Sequence, residues 1–261
     1  STCLYMVLEL CNGGDLQELI SQNVVMNDEE RYHRWIHFSI PFYLRQIQEA
    51  INEIHWKEVV HCDIKPANVL LSRSGRVKLA DFGSALDLSE TRSAENNKPG
   101  DLLRGTTEYS APELIRNLEC DHPRAMDIWS FACLAIAMYI GESPFRSASE
   151  SLCVQAITTY ADNNAKMQSF WDNLSHSGAE SGPEQTKIQS DMFKLRDLLQ
   201  SDPSSRCKAW GDFIVHGAPD MDDANLQPPN SPCLPVTRWK DDVLHCQLRD
   251  GARGWELFML S

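Results

Sequence analysis

The apolar positions of this chain fall into three kinds of pattern, each predicting a different element. From Ile40 to Ile54 they recur at Ile40, Tyr43, Leu44, Ile47, Ile51 and Ile54, spacings of three and four that draw one stripe along a helix. "MDIWSFACLAIAMYIG", residues 126–141, is apolar on every side and predicts a helix sunk into a core and closed by Gly141. "CLYMVLEL", "NVLLS" and "RVKLA" are short runs with β-branched content and predict strands, the last two joined by the turn "RSG". "CNGG" breaks the first run, after which Asp15 heads a helix over "DLQELISQ". Residues 86–104 are polar and predict a loop. Residues 150–200 read as helical, interrupted around 175–186 by a Ser/Gly/Glu-rich stretch that predicts a surface insertion. After His216 the text turns to "APDMDDANLQPPNSPCLP", whose proline and acid predict an extended wrap or tail, and no internal repeat is present.

Composition narrows the class. With 261 residues, 42% hydrophobic and 23% charged, the chain reads as a soluble globular protein. Its net charge of −13 argues against a partner bound through nucleic-acid phosphates. Nine cysteines without a C-x-x-C pair form neither a disulfide framework nor a zinc-binding spacing, which points to reduced thiols in the cytoplasm or nucleus. The most apolar segment is too short to cross a bilayer, so no transmembrane segment is expected, and no signal peptide opens the chain. A start at Ser1 reads as a piece of something longer.

Candidate chemistry lies in three stretches: "HCDIKPAN" (His61 to Asn68) after a helix, "DFG" (Asp81 to Gly83) after a strand, and "GTTEYSAPE" (Gly105 to Glu113). Alone, a three-residue match says little. Here Asp63, Lys65, Pro66 and Asn68 keep a fixed internal spacing, Asp81 follows Asp63 by eighteen residues, and a strand–turn–strand fits between them. An acid to take a hydroxyl proton, a lysine for phosphate charge and two hard oxygen donors suit phosphoryl transfer, where catalysis is mainly positioning and charge stabilisation.

These stretches resemble the catalytic loop, metal-binding loop and activation-segment end of the protein kinase superfamily. The resemblance implies an α+β kinase-like fold, mainly the helical C-terminal lobe with short strands at the hinge and catalytic loops. It implies a kinase domain over residues 1–217 and an acidic, Pro-rich extension over 218–261. The implied activity is ATP-dependent phosphorylation of protein Ser/Thr hydroxyls, with ATP and Mg²⁺ as cofactors and Ser/Thr-containing proteins as partners. Asp63 would be the base, Lys65 the phosphate neutraliser, Asn68 and Asp81 the Mg²⁺ ligands, and Thr106 would bond to Asp63. Leu8 would back the adenine pocket, Glu9 and Cys11 would meet adenine through backbone, Asp15 would hold ribose and Leu70 would form the floor. His61 and Asp127 would brace the catalytic loop, Glu113 would pair with Arg206, and Gly83 would supply the loop's unusual backbone angles.

"LYMVLELCNGGDLQELI", "GESPFRSASESLCVQAI" and "APDMDDANLQPP" are similar to the phosphoinositide-dependent protein kinase branch of the AGC group. Ala67 departs from the usual acidic residue of "K-P-E-N", and Cys62 stands where many kinases carry an arginine that grips an activation-segment phosphate. The phosphosite of that branch falls on Leu102, so grip and phosphate are absent together. The expectation is altered control, with Asp101 as a candidate fixed charge and Cys62 as a buried, inert thiol instead of a redox sensor. The resemblance also implies that the chain starts at the last strand of the small lobe, without the Gly-rich loop, strand lysine and helix glutamate. That leaves a second reading, a non-catalytic kinase-like interaction module.

Overall fold

A computed structural model describes residues 8–24, 28–91, 106–118, 120–176, 183–213 and 215. The core forms around α6 (Arg124–Ile140), where every residue from Ala125 to Tyr139 is buried, as its all-round apolar pattern predicts. Gly141 closes it with φ of 94°, its N–H donating to Ala137 C=O at 2.8 Å. Around this helix pack α1 (Leu16–Val24), α3 (Ile40–Trp56), α9 (Pro183–Arg196) and α10 (Pro203–Asp212). Trp35, 2% exposed, ties α6 to the segment before α3 by donating Nε1–H to Met138 C=O at 2.9 Å.

The helical stripe from Ile40 is present as α3 with Ile40, Tyr43, Leu44, Ile47 and Ile51 buried. It does not begin freely. A short helix, α2 (Glu29–Arg34), capped by Asp28 Oδ1 accepting the Arg31 N–H at 3.0 Å, runs into it through a π-turn over Trp35–Ser39. Pro41 explains the π-turn: it has no N–H for an α-helical bond, and the Ile40 N–H reaches back five residues to Trp35 C=O.

Two antiparallel pairs supply the strands. β1 (Val59–Val60) pairs with β4 (Leu86–Asp87), and β2 (Val69–Leu71) pairs with β3 (Val77–Leu79) across the expected turn. The predicted loop over 86–104 therefore starts as a strand and a short helix, α4 (Leu88–Thr91), and its remainder lies outside the described residues, as do Asp101 and Leu102. The predicted strand over 3–10 falls mostly outside them too; the described Leu8 to Leu10 have no strand partner. The helical reading of 150–200 resolves into α7 (Glu150–Asp162), α8 (Asn164–His176) and α9, with 177–182 and the tail beyond 215 outside the described residues. A short α5 (Pro112–Ile115) completes the set.

Burial of Tyr43 on α3 pushes its phenol up to about 12 from an ordinary 10.0. A raised folded value favours the neutral phenol, so this stabilisation is complete below pH 10 and fades as pH rises towards 12. Two pH units correspond to about 3 kcal/mol at most. Urea midpoints measured from pH 8 to 12 should fall less steeply in Tyr43→Phe than in the parent.

Candidate active site

The loop between β1 and β2 is held by Asp127, which lies in the first turn of α6 and is fully buried. Its Oδ2 accepts the His61 N–H at 2.9 Å and its Oδ1 the Cys62 N–H at 2.8 Å. The expected brace is present, and it has a third partner that sequence reasoning missed: His55 Nε2, 2.8 Å from Oδ2. The signal was there, since His55 sits four residues after Ile51 on the buried stripe of α3, where a polar side chain needs a partner. Cys62 adopts φ of 63°, unusual for a residue with a side chain, so the grip on its N–H holds a conformation that would otherwise relax.

His61 links the two catalytic loops. Its Nδ1 accepts the Asp63 N–H at 3.3 Å, leaving Nε2–H to donate to Ala80 C=O at 3.0 Å. Its ring lies against Phe82, centroids 4.6 Å apart. On the other side, the Ala80 N–H donates to Asn68 C=O at 2.9 Å. The residue before Asp81 is thus fixed by both ends of the 61–68 loop.

Asp63, Lys65 and Asn68 come together as expected. Asp63 Oδ2 accepts from Lys65 Nζ at 2.8 Å and from Asn68 Nδ2 at 2.9 Å, and Asn68 Nδ2 also donates to Asp63 C=O at 2.9 Å. Thr106 reaches Asp63 Oδ1 through its backbone N–H at 3.4 Å, not through its hydroxyl. Asp81 differs: its carboxylate is exposed and accepts the Gly83 N–H at 3.3 Å, without a hydrogen bond to the other three. The unusual backbone angle belongs to Asp81 itself, at φ 61° and ψ 72°, and Gly83 does not carry it. The side chain of Asp81 satisfies its own turn, which Asp tolerates better than most residues.

On the proposed nucleotide side, residues 13–15 are strapped to β2. The Gly13 N–H donates to Leu71 C=O at 2.8 Å, the Leu71 N–H donates to Gly14 C=O at 2.9 Å, and Asp15 bridges to Leu70. A Cβ on Gly13 would stand 2.6 Å from the carbonyl oxygens of Leu71 and Ser72, so only glycine fits there. Asp15 Oδ1 accepts the Glu18 N–H at 2.8 Å and caps α1. Cys11 and Leu70 are half-buried. Leu8 and Glu9 are exposed, with Glu9 paired to Lys78 at 3.0 Å, so among the described residues nothing encloses Leu8 as a pocket wall would.

Glu113 and Arg206 form the expected pair, both buried. Arg206 also donates to Gln200 C=O at 2.7 Å and Ala125 C=O at 3.3 Å, and lies 5.4 Å from the Trp129 ring centroid. The segment before Glu113 is pinned by bonds that sequence reasoning did not anticipate. Ser130 Oγ donates to Tyr109 C=O, Ser143 Oγ to Glu108 C=O and Thr107 Oγ1 to Glu150, each at 2.8 Å. Cys62 is 5% exposed, and burial followed by the Asp127 charge pushes its thiol well up. Such a thiol stays protonated at neutral pH and is a poor nucleophile.

A family described as protein kinase domain matches residues 1–212 of this chain. The chain belongs to the protein kinase family. Among similar kinases, serine/threonine-protein kinase PKH2 of Candida albicans is 35% identical over 159 residues, covering 59% of this chain and 16% of the relative. The 3-phosphoinositide-dependent protein kinase 1 of Arabidopsis thaliana is 32% identical over 162 residues, 60% of this chain and 31% of the relative. The Citron Rho-interacting kinase of Homo sapiens is 28% identical over 244 residues, 92% of this chain and 11% of the relative. The chain thus spans less than a third of the length of each of these kinases. Its fold, helix-rich with a few short strands, is the α+β kinase-like fold.

Arg206→Met in this kinase domain strands Glu113 as a buried charge and should cost about 3–5 kcal/mol in urea unfolding. Glu113→Gln added to it should recover a substantial part, because both charges are then gone.

Proposed function

We propose that this chain is the helical, catalytic-loop part of a protein kinase that transfers the γ-phosphoryl group of ATP to Ser/Thr hydroxyls of protein substrates. The observation that carries the reading is the Asp63–Lys65–Asn68 constellation, closed by bonds of 2.8–2.9 Å on a loop braced from the core. Lys65 and Asn68 occupy Asp63 Oδ2, so Oδ1, shared only with the long Thr106 bond, is the oxygen free to orient a substrate hydroxyl and receive its proton. Lys65 is half-buried beside it, close enough to transfer its pairing from the carboxylate to a phosphoryl oxygen.

The residues present fit magnesium–ATP. Asn68 bonds Asp63 through Nδ2, which leaves its carbonyl oxygen Oδ1 to serve a cation, and Asp81 offers an exposed carboxylate. Two hard oxygens suit Mg²⁺, and magnesium–ATP when bound supplies the transferable group and its countercharge. The strap of residues 13–15 on β2 supports the reading that Asp15 and Leu70 line the nucleoside end, with Cys11 and Glu9 contributing backbone; Leu8, exposed here, is left out of that lining.

The finer reading is a Ser/Thr kinase near the phosphoinositide-dependent branch, acting in the cytoplasm or nucleus, with the 218–261 extension closing the domain. The branch is supported by the hinge text and by the name of the Arabidopsis relative, and the Ser/Thr class by that of the Candida relative. Ala67 is exposed and uncharged, so it supplies no acid to attract a basic residue beside the target hydroxyl. Control by activation-segment phosphate is not built into residue 62: its side chain is a buried, uncharged thiol turned to backbone, 3.7 Å from Val60 C=O.

In the full-length protein, Mg²⁺-dependent transfer of labelled γ-phosphate to a Ser/Thr protein should fall by about 10²–10⁴-fold in Asp63→Asn. The same variant should keep its thermal stabilisation by ATP and Mg²⁺, whereas Asp81→Asn should lose the Mg²⁺-dependent part. Activity unchanged in Asp63→Asn would overturn the role given to Asp63, and activity absent from the parent would leave the interaction-module reading in its place.

A further inference from the structure

One cluster of ligating side chains lies apart from the catalytic loop, on elements that contribute none of its residues. His33 on α2, His37 in the π-turn and Glu184 in the first turn of α9 each offer one donor atom, and the three lie within 4.8 Å of one another. His33 Nδ1 is 2.7 Å from Glu184 Oε1, and the two imidazoles stack with centroids 4.3 Å apart. His37 Nε2 is buried from solvent and has no hydrogen-bond partner among the described residues.

Two independent features point the same way. Histidines at i and i+4 share a helix face, the spacing by which a helix presents two imidazoles to one metal ion. The π-turn that Pro41 imposes places His37 where the helix is widened, and the nitrogen it buries there is of the kind that folded proteins almost always satisfy. The charged neighbours on α9 do not satisfy it either, because they are engaged with each other. Lys187 pairs with Asp191, which also accepts from Tyr139 at 2.6 Å and lies 3.5 Å from Lys194.

We propose that His33, His37 and Glu184 bind a divalent transition-metal ion of the zinc class, with water completing the coordination. Bonds near 2.0–2.2 Å place donors of a tetrahedral site about 3.4 Å apart, between the present 2.7 Å contact and the 4.8 Å outer limit. Modest side-chain rotation closes the site, and His33 and Glu184 have the freedom for it, with 49% and 29% of their side chains exposed. Two imidazoles and one carboxylate select zinc, nickel or copper over magnesium, so this ion does not compete with the one used in phosphoryl transfer. Bound, it ties the α2–α3 segment to α9, two parts of the chain some 150 residues apart in sequence.

The test titrates the intact protein with Zn²⁺ and, separately, Co²⁺ in excess Mg²⁺, reading melting temperature and the visible spectrum. The expected result is one saturable site that raises the melting temperature, with a Co²⁺ spectrum of nitrogen and oxygen ligands and no thiolate charge-transfer band. His33→Gln, at an exposed position, and Glu184→Gln, at a half-buried one, should each weaken binding by more than roughly tenfold with the apo melting temperature little changed. Binding unaltered by either variant, a thiolate band arising from the cysteines, or no saturable binding would overturn the proposal.

Discussion

A buried carboxylate at the head of the central helix is the constraint on which the candidate active site depends. Asp127 is fully enclosed, and a charge in that position persists only if its oxygens are satisfied. It meets that demand with two backbone N–H groups of the loop and the imidazole of His55, while the first turn of α6 adds the favourable end of the helix dipole. The requirement runs both ways. The loop cannot relax Cys62 out of its left-handed conformation without orphaning Asp127, so core packing and loop geometry are fixed by one interaction.

From that anchor the geometry is passed on through backbone. His61 carries it to Ala80, Asn68 returns it to Ala80 from the other side, and Asp81 is placed next in line. Thr106 approaches Asp63 through an N–H, and the segment behind it is held by serine hydroxyls on backbone carbonyls. The Glu113–Arg206 pair joins this segment to α10 at the far side of α6. The acidic cluster therefore rests on a rigid frame, which suits chemistry in which charge must be met by groups already in place.

Much of this was legible in the letters because the residues concerned sit close together in sequence. The spacing within "HCDIKPAN" converts directly into a loop whose side chains meet, and the apolar pattern of 126–141 fixes a helix buried on every side. What escaped has a common physical origin. The His55 contact, the Thr106 N–H and the Ser130 and Ser143 bonds are long-range or backbone-mediated, and neither periodicity nor motif spacing records them. The left-handed residue was expected at Gly83 because glycine tolerates it, yet Asp81 adopts it with its own side chain closing the turn. The π-turn ahead of α3 follows from Pro41, but only once α2 is known to run into it. Glu184 lies too far from His33 and His37 in sequence for any spacing rule to join it to them.

The strap between residues 13–15 and β2 gives the hinge a mechanical role. β2 begins at the residue after Asn68, and the carbonyls of Leu71 and Ser72 fill the space that a side chain at residue 13 would need. A molecule settling against the hinge would therefore push on the same short ribbon that ends in a proposed metal ligand. Occupancy at one end and alignment at the other would then be linked through the three residues of β2.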